Sequence, residues 1–138
     1  EYLGTVGCAA LDSKGNIAAG TSTGGLTGKQ YGRLGDSPII AAGTYADNRT
    51  CAISCTGHGE FFIRHAVAFD ISARMKYKNE TIAQAANAVV QGTLKKVSGR
   101  GGIIGLDAKG NIVMEFNTHA MTRGYIDKTG KLHTAIFR

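Results

Sequence analysis

Four short stretches of this sequence carry side chains that could do nucleophilic chemistry. Thr5 heads an apolar, glycine-punctuated run, Val6-Gly7-Cys8-Ala9-Ala10-Leu11. If the Gly4–Thr5 bond were cut, Thr5 would carry a hydroxyl and a free α-amine on one residue. That pairing is a nucleophile with its own base, because an N-terminal amine titrates at about pH 8. Left uncut, Thr5 simply opens a strand. In Thr21-Ser22-Thr23-Gly24-Gly25, the Thr23 hydroxyl could orient a second hydroxyl or close a turn. Arg33 and Asp36 lie three apart in Gly32-Arg33-Leu34-Gly35-Asp36-Ser37. They could grip the two ends of a zwitterion, guanidinium on carboxylate and carboxylate on ammonium, or pair with each other. In Thr56-Gly57-His58-Gly59-Glu60, the Thr56 hydroxyl and the Gly57 N–H could converge on one developing oxyanion. The same groups could instead cap a helix. His58 has no Ser/His/Asp order around it and reads as structural.

These residues need a frame that brings three loops to neighbouring strand ends. Thr5–Asp12 reads as a buried strand, Ser13–Asn16 as a turn and Ile17–Ser22 as its returning partner. Leu11-Asp12-Ser13-Lys14-Gly15-Asn16-Ile17 is echoed by Leu106-Asp107-Ala108-Lys109-Gly110-Asn111-Ile112, two hairpins with one turn solution. Thr23–Ser37 reads as a long glycine-rich loop, a length that favours function. Short strands are predicted over Pro38–Gly43 and Thr50–Thr56, joined by a turn at Asp47-Asn48. One helix is predicted over Glu60–Met75, with Ile63, Val67 and Ile71 at helical spacing and Glu60 complementing its dipole. A second is predicted over Thr81–Leu94, where Thr81 and Gln84 have capping-box spacing. Strands Ile103–Asp107 and Ile112–Asn117 follow the Gly99-Arg100-Gly101-Gly102 linker, and a last pair flanks the Asp127–Lys131 turn. Strands, two helices, then strands is an α+β pattern with antiparallel sheets and a single helical layer.

At 138 residues the chain is one domain or half of a larger one, and 43% apolar with 19% charged residues excludes disorder. The net charge of +6 does not signal nucleic acid, since Lys95-Lys96 is the only adjacent basic pair and no aromatic-studded basic stripe exists. No apolar run is long enough to span a membrane. Cys8, Cys51 and Cys55 read as buried free thiols of a reducing, cytoplasmic setting. A Cys51, Cys55 and His58 metal site lacks a fourth ligand and the usual spacing.

Together, Thr5-Val6-Gly7, Thr21-Ser22-Thr23-Gly24-Gly25, Gly32-Arg33-Leu34-Gly35-Asp36-Ser37-Pro38 and Thr56-Gly57-His58-Gly59-Glu60 resemble the β-subunit of plant-type L-asparaginases, or isoaspartyl aminopeptidases, within the N-terminal-nucleophile hydrolases. The likeness runs on to Phe116-Asn117-Thr118 and Met121. It implies an αββα four-layer sandwich made from one precursor that cleaves itself into α and β chains, assembled as an (αβ)2 dimer of heterodimers. Residues 1–4 would then be the remnant of the α/β junction and 5–138 the β-subunit. By motif, Thr5 is the nucleophile for autoproteolysis after Gly4 and for hydrolysis, and Thr23 orients it. Arg33 takes the substrate α-carboxylate, Asp36 the α-ammonium, and Thr56 with Gly57 the oxyanion. The implied reaction is hydrolysis of L-asparagine and of β-aspartyl peptides. The resemblance implies a structural sodium ion in the α-chain, with no cofactor or metal in this chain. Glycosylasparaginase is the nearest rival, although Gly4 stands where those enzymes usually carry Asp and Thr23 is followed by Gly24-Gly25. A threonine aspartase-like endopeptidase and an unprocessed, non-catalytic precursor are the further alternatives. His119-Ala120 departs from the family, standing where a less bulky, glycine-containing stretch is expected.

Overall fold

The computed structural model describes residues 3–138. Strands β1 (Leu3–Leu11) and β2 (Ile17–Leu26) form an antiparallel hairpin in which Thr5 faces Thr23 and Gly7 faces Thr21. Its turn is built by Asp12, whose Oδ1 accepts the N–H groups of Lys14 and Asn16, both at 2.8 Å. Asp107 accepts from Lys109 and Asn111 in the same way, and Asp127 from Thr129 and Lys131. Each turn sets a glycine (Gly15, Gly110 or Gly130) at positive φ, where a side chain would be strained. The repeated turn read from the sequence is thus one local solution, and the structure uses it a third time.

The central sheet is antiparallel and ordered β3 (Thr44–Ala46), β4 (Cys51–Gly57), β5 (Gly101–Asp107), β6 (Ile112–Phe116). Alternation along β4 divides it into two faces. Cys51, Ile53 and Cys55 point into a dry core with Phe62, Val67, Ile71, Val89 and Ile103. Ser54 and Thr56 point the other way, under the β1–β2 hairpin. There the Ser54 and Thr21 hydroxyls meet at 2.6 Å, and a Cβ on Gly7 would fall 2.2 Å from Ser54 Oγ. Glycine at position 7 therefore lets the hairpin settle directly onto the sheet. The hairpin, the sheet and the helices form three successive layers. A separate hairpin, β7 (Arg123–Ile126) with β8 (Leu132–Ala135), completes the described chain. Among the described residues, no helix is long and apolar enough to cross a membrane.

Six expectations need correction. The first strand is not buried, since every second residue from Gly4 to Ala10 is exposed, and the second runs on to Leu26, so Thr23 lies in a strand and not in the long loop. Pro38–Gly43 is a series of turns with Ala41 at φ 80°, not a strand. The carbonyls of Ala41 and Ala42 accept the N–H groups of Phe69 and Ala68, satisfying donors that the first turn of a helix leaves orphaned. The helix predicted over Glu60–Met75 is two, α1 (Gly59–Arg64) and α2 (Val67–Lys78), broken where Ala66 enters the left-handed region. The second helix has its Thr81/Gln84 capping box, but α3 (Ile82–Asn87) passes into a π-helical segment, Ala88–Leu94. Cys51 and Cys55 are buried, whereas Cys8 is exposed on the outer face of the hairpin with Val6. Burial pushes the Cys51 thiol up to about 12 and holds that of Cys55 well above its ordinary value, so both are protonated core groups.

Candidate active site

Strand pairing brings Thr5 and Thr23 face to face. The Thr23 hydroxyl donates to the Gly4 carbonyl at 3.0 Å and accepts from the Gly25 N–H at 3.0 Å. Its donor is therefore aimed at the carbonyl of the Gly4–Thr5 bond itself, rather than at the Thr5 hydroxyl as expected from sequence. Thr5, Thr56 and Gly57 line one cleft of about 720 Å³, and Thr5 and Thr56 also line an adjoining one of about 760 Å³. Three of the residues singled out by their chemistry thus share one space, although fifty residues of chain separate Thr5 from the others.

The geometry at Gly57 follows from its partner strand. Gly57 pairs with Gly101, and both have φ near 155°, at 153° and 155°. A Cβ on Gly57 would lie 2.4 Å from Arg100 O and 2.6 Å from the Phe62 ring. No side chain fits. Gly101 uses both its N–H and its C=O on Asn117, at 2.8 and 2.9 Å. Ladder alternation then leaves the Gly57 N–H out of the β4–β5 ladder, and pairing resumes with His58 N–H on Arg100 O at 2.9 Å. Asn117 also donates to Gly99 O at 2.8 Å, so one amide side chain fixes the linker that faces Gly57.

The Arg33–Asp36 loop approaches from the other side of the Gly57–Glu60 segment. Asp36 is buried against Gly59, where an added Cβ would lie 2.8 Å from Asp36 Oδ1. Among the described residues, Asp36 Oδ2 has no hydrogen-bond partner. Desolvation raises the Asp36 pKa, against the partial relief of its own backbone N–H and the nearby Arg33 charge. Arg33 does not pair with Asp36. Its Nε and one terminal nitrogen hold Glu60 in a two-point contact at 2.9 and 3.1 Å. The hydrogen bond to Arg33 is also the main cause of a lowered Glu60 pKa. Glu60 is the Arg33 partner that the sequence reading missed, having been assigned only to the helix dipole. Its signal was the glycine-spaced approach of the Thr56–Glu60 segment to the Arg33 loop, which only the folded arrangement makes visible.

A family model described as asparaginase matches residues 1–136. The chain belongs to the asparaginase family. It is 49% identical over 140 aligned positions to an isoaspartyl peptidase of Escherichia coli K12, covering 100% of this chain and 43% of that protein. A putative isoaspartyl peptidase/L-asparaginase of Dictyostelium discoideum is 53% identical over 124 positions, 90% of this chain and 35% of the relative. A probable isoaspartyl peptidase/L-asparaginase of Arabidopsis thaliana is 47% identical over 133 positions, 96% and 40% of the two chains. The chain thus spans less than half the length of each of these relatives. Ala120 and His119 of this chain line the same cleft as Thr5, so the stretch singled out in the sequence falls in the candidate site.

Proposed function

We propose that this chain is the nucleophile-bearing part of a threonine amidohydrolase that releases aspartate from L-asparagine and from β-aspartyl peptides. The observation that carries the reading is the Thr23 hydroxyl at 3.0 Å from the Gly4 carbonyl oxygen, beside a threonine in a cleft that also holds Thr56 and Gly57. In the processing step, Thr5 Oγ attacks the Gly4 carbonyl carbon while Thr23 supports the negative charge growing on that oxygen. The Gly4–Thr5 amide becomes an ester on Oγ, and the Thr5 nitrogen takes a proton. Water cleaves the ester, leaving a Gly4 carboxylate and a Thr5 with free amine and hydroxyl.

In turnover, that amine takes the Oγ proton as Oγ adds to the side-chain carbonyl of the substrate. The Thr56 hydroxyl and the Gly57 N–H, which stands outside the β5 ladder, hold the resulting oxyanion. The C–N bond breaks, the proton passes to the departing ammonia or amine, and water hydrolyses the aspartyl ester. Arg33 binds the substrate α-carboxylate while Glu60 holds its guanidinium in place, and the unpartnered oxygen of Asp36 receives the α-ammonium. A buried carboxylate oxygen lacking a partner is costly, and a cationic ligand offsets that cost.

On this reading the remainder of the precursor is an α-chain that covers the exposed outer face of the β1–β2 hairpin, adding a fourth layer to give the αββα sandwich and an (αβ)2 assembly. A structural sodium ion belongs to that α-chain and takes no part in these steps. Gly4 and the Thr23-Gly24-Gly25 run favour this activity over that of a glycosylasparaginase. The test is ammonia release from L-asparagine and aspartate release from β-Asp-Leu by the full-length protein, with Thr5→Ala as control. The expected result is activity in the wild type and none in the variant, which also stays uncut. A processed, active Thr5→Ala protein would overturn the mechanism.

A further inference from the structure

The cleft that holds Thr5 has a charge character the reaction above does not use. Its wall beyond Gly57 is formed by the Arg100–Gly102 segment and by Thr118–Thr122. Among the described residues lining it, none is acidic, while Arg100 contributes a permanent cation. Strand alternation fixes the side on which Arg100 lies. A Cβ at Gly101 would meet the Phe62 ring on the helix side, whereas one at Gly102 would meet Met121 Sδ, a cleft residue, at 2.6 Å. Arg100 shares the face of Gly102 and so projects on the cleft side.

The other arginines near the site are engaged. Arg33 is held by Glu60, and Arg123 donates to the carbonyls of Met121 and Ile136. Among the described residues, the exposed Arg100 guanidinium has neither an ion-pair nor a hydrogen-bond partner. Its backbone, by contrast, is fixed, since Arg100 O accepts the His58 N–H and the next residue is pinned by Asn117. A guanidinium with no partner among the described residues is thus mounted on a fixed strand start, across Gly57 from Arg33 and Asp36.

That placement identifies what it can bind. With the aspartyl half of the substrate directed to Arg33 and Asp36, the leaving group extends the opposite way, into the Arg100 side. In a β-aspartyl dipeptide, the carboxyl carbon of the leaving residue is two bonds, or roughly 2.5 Å, from the scissile nitrogen. Ammonia carries no such group, and a longer peptide carries an uncharged amide there. We propose that Arg100 anchors the free α-carboxylate of the leaving residue, making this a site selective for β-aspartyl dipeptides over asparagine and over longer or C-terminally capped peptides. The assignment rests on the function proposed above. An Arg fork matches a carboxylate in two-point geometry, and its loss leaves the ligand charge without its partner.

The test compares β-Asp-Leu, its C-terminal amide β-Asp-Leu-NH2, and L-asparagine with the processed full-length enzyme. The wild type is expected to show a kcat/KM at least tenfold higher for the free acid than for the amide. Arg100→Ala should collapse that ratio towards one and lower kcat/KM for β-Asp-Leu at least tenfold more than for asparagine, while Arg100→Lys restores part of the preference. Equal turnover of acid and amide by the wild type would overturn the anchor without any variant being needed. So would an Arg100→Ala enzyme that loses the same factor on all three substrates. Absence of turnover of all three by the wild type would instead remove the underlying function, and the anchor with it.

Discussion

The two faces of β4 are made from adjacent residues and serve opposite ends. Towards the helices, Cys51, Ile53 and Cys55 are wholly buried among α2, α3 and the π-helical segment, a face that is apolar and closed. Towards the hairpin, Ser54 and Thr56 carry hydroxyls, one tied to Thr21 and the other open to the cleft with Thr5. The first face supplies burial, which scales with apolar area and tolerates no void. The second keeps the hairpin close by using glycine at position 7, and spends its side chains on donors and acceptors. One strand thereby couples a buried core on one side to the cleft on the other, and substitutions should sort by face.

On the core face, Ile53→Ala is expected to cost about 2–5 kcal/mol of stability by opening a cavity. Urea unfolding of the full-length protein would measure it, with turnover per folded molecule retained. On the hairpin face, Thr56→Val is expected to keep the urea midpoint and lower kcat by about 10²–10³-fold through loss of one oxyanion donor. If Thr56→Val unfolded the protein as Ile53→Ala does, the division between the faces would fail. Arg33→Ala is expected to raise KM for asparagine about 10- to 150-fold, corresponding to about 1.5–3 kcal/mol for a charge-assisted contact. An unchanged KM would exclude Arg33 from substrate binding.

The smallest effect concerns two carboxyl groups whose pKa shifts have opposite sign. The folded-state pKa of Asp36 is raised, chiefly by desolvation, so the native state holds its proton more tightly than the unfolded chain. That group therefore makes stability fall as pH rises from the ordinary Asp range through the raised native value. Glu60 has a lowered folded-state pKa because of Arg33, so its contribution is present above the ordinary Glu range and is lost as pH falls through the native value. Asp36→Asn should remove the falling limb. Its urea midpoint is expected to gain on that of the wild type as pH climbs through that window, and parallel profiles would show that the buried oxygen carries no cost.

What could be read from the sequence was local. The Asp-x-x-Gly turns, the Thr81 capping box and the β1–β2 hairpin depend on neighbours within a few residues, and each appears where its residues predict it. The break at Ala66 and the turns over Pro38–Gly43 were hidden because tertiary contacts decide them. The carbonyls of Ala41 and Ala42 are claimed by the start of α2, a demand that no pattern within 38–43 displays. The candidate site was legible in part for the same reason. Thr5, Thr23, Thr56 and Gly57 stand out by chemistry and short spacing. The pairing of Arg33 with Glu60 spans 27 residues, and the orientation of Thr23 towards Gly4 rather than Thr5 depends on strand register.

The central claim is that Thr5 becomes an N-terminal nucleophile through cleavage of a bond whose carbonyl Thr23 already holds. The intact mass and N-terminal sequence of the full-length protein, followed until processing stops, test it most directly. The expected result is a chain beginning at Thr5 together with a separate partner ending at Gly4. A chain that remains whole across Gly4–Thr5 after prolonged incubation would contradict it, since the amine on which the mechanism depends would never be freed.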